Sequence, residues 1–240
     1  MPESLVLLHG FSGTRRAWGA VVELLDRERY LPLALDTPGH GEAADAERPI
    51  TFAGCVAHVL AASPERFVLC GYSQGGRIAL HVALAAPARV SRLVIVSASA
   101  GIEDPAERAE RSRADHQLAD ELESIPFEDF IERWRTQLLF AADPPEVGAL
   151  ARADQRRNSP EALAAVLRGI GTGEMEPLWD RLRELKMPVS VIVGERDVKF
   201  QTIGERMVAL LPNAQLTVLA GGHALPLENP AGLAQVLNAG

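Results

Sequence analysis

The sequence predicts an α/β fold: a mostly parallel sheet flanked by helices on both faces, interrupted by one helical insertion. Three observations carry the prediction. Short runs that are apolar throughout alternate with segments of helical spacing, the pattern of strands buried on both faces. One such run leads straight into Gly71-Tyr-Ser-Gln-Gly75 and then into a helical pattern. Between Glu107 and Trp179 the strand pattern disappears and only helical spacing remains.

Leu5 to Leu8 is the first strand, ending in His9-Gly10-Phe11-Ser12-Gly13, and Trp18, Val21, Val22 and Leu25 then follow at helical spacing. Leu31 to Leu35 is the second strand, closed by a Pro- and Gly-containing turn, Asp36 to Gly41. Thr51 is placed to cap a helix carrying Phe52, Val56, Val59 and Leu60. The Phe67 to Cys70 strand comes next, then a helix over Arg77 to Ala86 stopped by Pro87, then a strand at Leu93 to Val96.

In the insertion, Leu118, Leu122 and Ile125 share one face, and Phe127, Phe130, Ile131, Trp134 and Leu138 share another. Ser159-Pro160-Glu161 is a helix start with proline at the first helical position. The alternation resumes with a strand over Val189 to Val193 and a helix over about Ile203 to Leu211. A last strand at Leu216 to Leu219 and a helix from Asn229-Pro230 complete it. Residues 1–100 and 180–240 are expected to form the core, and 101–179 a helical cap over it.

Composition narrows the class of partner. A net charge of −8 argues against nucleic acid or an anionic membrane. No apolar run approaches the ~20 residues of a membrane span, and no basic segment with an apolar signal core opens the chain, so a cytoplasmic location is expected. Cys55 and Cys70 fall in a helical and a strand pattern and read as small core residues. No Cys/His cluster has metal-ligand spacing. Of the 24 basic residues only Lys186 and Lys199 are lysines, so one arginine by itself carries little information.

Ser73 stands between two glycines at the junction of strand and helix. That junction is the context of a nucleophile elbow, whose turn has no room for side chains beside the serine. Asp197 and His223 each follow a predicted strand, as Ser73 does, and open parallel sheets build their sites at that edge. The order Ser, Asp, His suits a triad. A neutral imidazole takes the serine proton, and a buried carboxylate fixes the tautomer and steadies the imidazolium. The backbone N–H groups of Phe11 and Gln74 are candidates for an oxyanion hole. His9 and His40 are read as structural, and His58, His81 and His116 sit in helical patterns without assigned chemistry.

With these residues in place, the sequence resembles the α/β-hydrolase superfamily over nearly its whole length, without the two-stranded antiparallel start of many members. A serine nucleophile sets it apart from the dehalogenases. More narrowly, it resembles the menaquinone-pathway synthases that make 2-succinyl-6-hydroxy-2,4-cyclohexadiene-1-carboxylate (SHCHC). The matching stretches include Gly71 to Arg77, Glu107 to Asp115, Phe130 to Trp134 and Arg156 to Asn158. Arg168 to Gly173, Pro177 to Trp179, Gly194 to Phe200, Gly222-His223 and Glu228 to Pro230 complete them.

The resemblance implies a lyase that uses Ser73, His223 and Asp197 as a base to eliminate pyruvate from a small polycarboxylate. It implies no metal and no organic cofactor. Arg77, four residues after Ser73 on one helix, can face the same pocket. Arg111 and Arg156 are matched to carboxylate binders, with Arg157 as the alternative to Arg156, and arginine forks suit carboxylates. Tyr72, Trp134 and Phe140 are candidates for the pocket wall. The alternative reading is a serine hydrolase acting on a small ester or ring-cleavage product through an acyl-enzyme. A third is a ligand-binding receptor without turnover. Monomer and homo-oligomer are both open.

Overall fold

In the computed structural model, residues 2–239 are described. Six strands form one sheet: β1 (Glu3–Leu8), β2 (Tyr30–Leu35), β3 (Phe67–Tyr72), β4 (Val90–Val96), β5 (Val189–Gly194) and β6 (Ala214–Leu219). Their order is β2-β1-β3-β4-β5-β6, and every neighbouring pair is parallel. The parallel sheet expected from the alternation, and the α/β-hydrolase fold that the resemblance implies, are therefore present. Pro32 sits on β2, an edge strand, where its lack of an N–H costs no interior ladder bond.

Period-two alternation splits the core into two layers. Val6, Leu8, Leu69, Leu93, Ile95, Val191 and Val193 pack on one face against α2 (Phe52–Ala62), α3 (Gln74–Ala85) and α8 (Val198–Leu210). Leu5, Leu7, Val68, Cys70, Val94, Val96 and Ile192 pack on the other with Trp18, Val21, Leu225, Leu233 and Leu237. The second layer is closed by α1 (Gly19–Glu23), α9 (Leu225–Glu228) and α10 (Pro230–Ala239). Successive strand residues thus serve opposite layers, which is why these strands read as continuous apolar runs. Cys55 and Cys70 are buried free thiols, both pushed up to about 12 by burial.

Four helices lie between β4 and β5: α4 (Pro105–Ser124), α5 (Phe127–Arg135), α6 (Pro145–Gln155) and α7 (Pro160–Ile170). Helices α4, α5 and α7 share a small core of Ala119, Leu122, Phe130, Leu163, Ala164 and Leu167. Two of the predicted caps form. The Thr51 side chain accepts from Gly54 N–H and the Ser159 side chain from Ala162 N–H.

Several boundaries differ from expectation. Helix α4 starts at Pro105 rather than Glu107, because Asp104 caps it through Ala106 N–H and Glu107 N–H. Helix α3 starts at Gln74 rather than Arg77, and α8 at Val198 rather than Ile203. Both begin directly at the sheet edge, α3 in Gln74-Gly-Gly, whose glycines read as turn, and α8 immediately after the Gly194-to-Asp197 turn. No described helix is long and apolar enough to cross a membrane.

Candidate active site

The strand ends converge on one rim. Ser73 follows β3 with φ +51°, a left-handed conformation that is costly for serine. The fold imposes it by close packing. A Cβ on Gly71 would stand 2.3 Å from the carbonyl oxygen of Gly75, and one on Gly75 would stand 2.4 Å from that of Leu8. Only glycine fits at either position, so the turn is as tight as a nucleophile elbow requires.

Asp197 and His223 come to the same point from the ends of β5 and β6. His223 Nε2 lies 3.1 Å from Ser73 Oγ, and Nδ1 lies 2.7 Å from Asp197 Oδ2. The imidazole and the carboxylate are both buried, and the serine hydroxyl opens into the cleft. With Nδ1–H donating to Asp197, Nε2 is left as the acceptor for the serine proton. The arrangement is competent for general-base chemistry or for nucleophilic attack.

Gln74 is the first residue of α3, so its N–H has no partner within the helix. Phe11 lies just past the end of β1, and both residues line the cleft beside Ser73. The Ser73 N–H is already used, donating to the Val96 carbonyl at 2.9 Å. The N–H groups of Phe11 and Gln74 remain the candidate donors to a developing oxyanion on this rim.

The cleft above this rim has a volume of about 980 Å³. Tyr72, Trp134 and Phe140 all line it. Tyr72 and Phe140 approach the His223 ring at centroid distances of 5.4 and 6.0 Å, and Trp134 packs against Phe11 at 5.0 Å. Burial pushes the Tyr72 phenol well above its ordinary value, so it stays protonated.

Arg77 reaches the cleft from α3, nearly enclosed. Its Nη1 donates to the Ile170 carbonyl at 2.9 Å, and it pairs with no carboxylate among the described residues. Burial, reinforced by the positive charge of nearby Arg111, lowers its pKa to about 10, which leaves it charged at neutral pH. Arg111 also lines the cleft, with Nε donating to Asp115 Oδ1 at 2.8 Å. Asp115 is itself held by the Gly173 N–H at 3.1 Å.

Arg156 is not brought to the cleft. It is a cap-end residue of α6 whose guanidinium forks onto Glu128, with Nε 2.9 Å from Oε1, and both side chains are about half exposed. Arg157 is also outside the cleft, exposed and 3.8 Å from Asp154. The expected carboxylate-binding role of either residue is corrected by this placement. The last turn of α6 aims both toward solvent, and local acidic side chains take them up.

Several cleft residues were not singled out in the sequence. Phe200, on α8, stands 4.7 Å from the His223 ring, closer than Tyr72 or Phe140. It follows Asp197 by three residues at a strand end, which was a usable signal. Trp179 and Arg206 also line the cleft, the guanidinium 3.9 Å over the indole ring. Ser97, at the end of β4, has φ +45° and a buried hydroxyl without a partner. Lys199 lines the cleft too. No group of three or more His, Cys, Asp or Glu side chains that could hold a metal ion occurs among the described residues.

The chain as a whole has known relatives. A model of the alpha/beta hydrolase family matches residues 5–236. The 2-succinyl-6-hydroxy-2,4-cyclohexadiene-1-carboxylate synthase of Enterobacter sp. (strain 638) is 36% identical over 245 residues, covering 97% of this chain and 89% of the relative. That of Salmonella paratyphi C (strain RKS4594) is 32% identical over 243 residues, covering 98% and 93%. The solved structure of MenH from S. aureus superposes with a TM-score of 0.92 at 30% identity, covering 99% of this chain and 92% of that one. The chain belongs to the alpha/beta hydrolase family, among the relatives of the SHCHC synthases.

Proposed function

We propose that this protein is an SHCHC synthase, a lyase that eliminates pyruvate from 2-succinyl-5-enolpyruvyl-6-hydroxy-3-cyclohexene-1-carboxylate. One observation carries the reading beyond kinship. The Ser73–His223–Asp197 chain opens into a cleft in which Arg77 is enclosed and has no carboxylate partner. An enclosed arginine without a carboxylate fits an anionic substrate far better than a neutral ester.

In this reading Ser73, with His223 accepting its proton, removes the ring proton next to the succinyl carbonyl. The electron pair moves through the ring double bond and expels the enolpyruvyl oxygen, so pyruvate leaves as its enol. The N–H groups of Phe11 and Gln74 stabilise the enolate oxygen, the function of an oxyanion hole. Arg77 and Arg111 hold carboxylates and align the proton with Ser73. Tyr72, Trp134 and Phe140 wall the pocket. Residues 101–179 act as the cap over residues 1–100 and 180–240. The two buried, unpaired cysteines fit a reducing compartment such as the cytoplasm.

The test is a direct comparison on the purified protein. Pyruvate release from the cyclohexene substrate, coupled to lactate dehydrogenase, should be fast, and a panel of activated neutral esters should turn over poorly. Ester turnover with an acyl-enzyme burst and no pyruvate would replace this reading with a serine hydrolase. Ligand binding without either activity would indicate a receptor.

A further inference from the structure

The loop from His9 to Thr14 carries the Phe11 N–H, and it is gripped from two sides. On the core side, His9 Nδ1–H donates to the Gly10 carbonyl at 2.8 Å, and its Nε2 accepts from Thr37 N–H at 3.1 Å. His40 Nε2 accepts from Ser12 N–H at 3.3 Å. These contacts come from elements next to β1 in the sheet.

The other grip comes from about 140 residues away, at the end of α6. Asp154 accepts from Thr14 N–H at 2.7 Å through Oδ2 and from the Thr14 hydroxyl at 2.5 Å through Oδ1. Gln155 Nε2 donates to Ser12 Oγ at 2.8 Å. Asn158 Nδ2 donates to the Ser12 carbonyl at 2.8 Å, and its Oδ1 accepts from Gly41 N–H at 2.9 Å. All three side chains are more than nine-tenths buried, and none lines the main cleft. Apolar packing would fill the same joint without the desolvation cost of an amide or a carboxylate. What polar groups add is direction. Direction matters here because Ser12 is held at φ +62°, a left-handed conformation that a serine leaves readily unless its surroundings enforce it.

We propose that Asp154, Gln155 and Asn158 are positioning residues that aim the Phe11 N–H at the reacting oxygen, which makes α6 part of the catalytic frame as well as of the cover. The proposal rests on the oxyanion-hole reading of Phe11 and Gln74.

Its test does not require the natural substrate. An alkyl fluorophosphonate reacts with an activated serine. The Ser73 Oγ–P bond forms, the P–F bond breaks, fluoride leaves, and the hydroxyl proton passes to His223. Charge develops on the phosphoryl oxygen, so the rate reports the oxyanion donors. Asp154→Ala and Gln155→Ala should slow Ser73 labelling by about ten- to a hundredfold, below the ~10²–10³ seen when a donor is removed outright. The His223 ring titration, followed by NMR, should match the wild type. Asp154→Asn keeps an acceptor for Thr14 N–H and a donor for its hydroxyl, and should restore labelling to within about threefold of wild type. In pyruvate release the loss should fall on kcat and leave KM nearly unchanged.

Gln155→Ala is the milder variant and keeps the test open if Asp154→Ala fails to fold. Labelling at the wild-type rate in a folded alanine variant would overturn the proposal. So would a loss confined to KM, which would place these side chains on the substrate, or a displaced His223 titration, which would indicate general damage. Wild-type protein that resists labelling at Ser73 would instead sink the underlying active-site reading.

Discussion

Arg77→Met is the perturbation that separates an anionic substrate from a neutral one. Methionine fills much of the arginine's volume and removes its charge. In the structure one N–H of the guanidinium is spent on the Ile170 carbonyl, and the remaining donors are free for a ligand. A charge-assisted hydrogen bond contributes about 1.5–3 kcal/mol, and ~1.4 kcal/mol is a factor of ten. Losing one such bond should therefore lower kcat/KM for pyruvate release by about 10- to 150-fold, and a bidentate grip would push the loss higher. The variant also strands the Ile170 carbonyl, at a cost of about 1–3 kcal/mol in stability, so a melting curve must accompany the kinetics. Arg77→Lys restores the charge without the fork and should recover part of the loss. Activated neutral esters provide the control, and their slow turnover should be unaffected. A kcat/KM within twofold of wild type in folded Arg77→Met would refute the carboxylate reading. An equal loss on both substrate types would show that Arg77 only shapes the site.

Two further outcomes follow from individual contacts. Arg156→Ala removes an exposed, solvent-screened pair with Glu128. Its melting temperature and kcat/KM should match the wild type, and a tenfold loss of kcat/KM would return Arg156 to the substrate. His9 and His40 are buried, and desolvation lowers the pKa of His9 and lowers that of His40 well below its usual value. Below about pH 6.5 the unfolded chain binds protons at these rings that the folded chain refuses. Their contribution to stability is therefore whole above pH 6.5 and is lost as pH falls toward the folded values, with a slope that cannot exceed about 1.4 kcal/mol per pH unit for one ring and is larger for His40 than for His9. Urea unfolding between pH 7.5 and 5.5 should show this slope, reduced by one ring's share in His40→Gln. An equally steep slope in that variant would contradict the assignment.

The candidate site's rim was legible because it obeys local rules. Ser73, Asp197 and His223 each sit just past an apolar run, and a parallel sheet gathers such positions onto one edge whatever the intervening chain does. Arg77 was legible for a similar reason: four residues along a helix fix its direction relative to Ser73. Arg156 was not, because its direction depends on where α6 ends and on Glu128, which reaches it from another helix. Phe200, three residues after Asp197, carries a local signal of the same kind.

By itself, then, the sequence determined the α/β layering, the tight turn at Ser73 and the chain order of the three side chains that meet at the rim. These follow from periodicity and from glycines whose Cβ atoms would collide with backbone. Only the tertiary structure decided which arginines enter the cleft and what holds the Phe11 loop. The bonds from Asp154, Gln155 and Asn158 to Ser12 and Thr14 join segments about 140 residues apart. Such contacts leave no periodicity in the chain, because they exist only once the inserted helices have docked on the sheet.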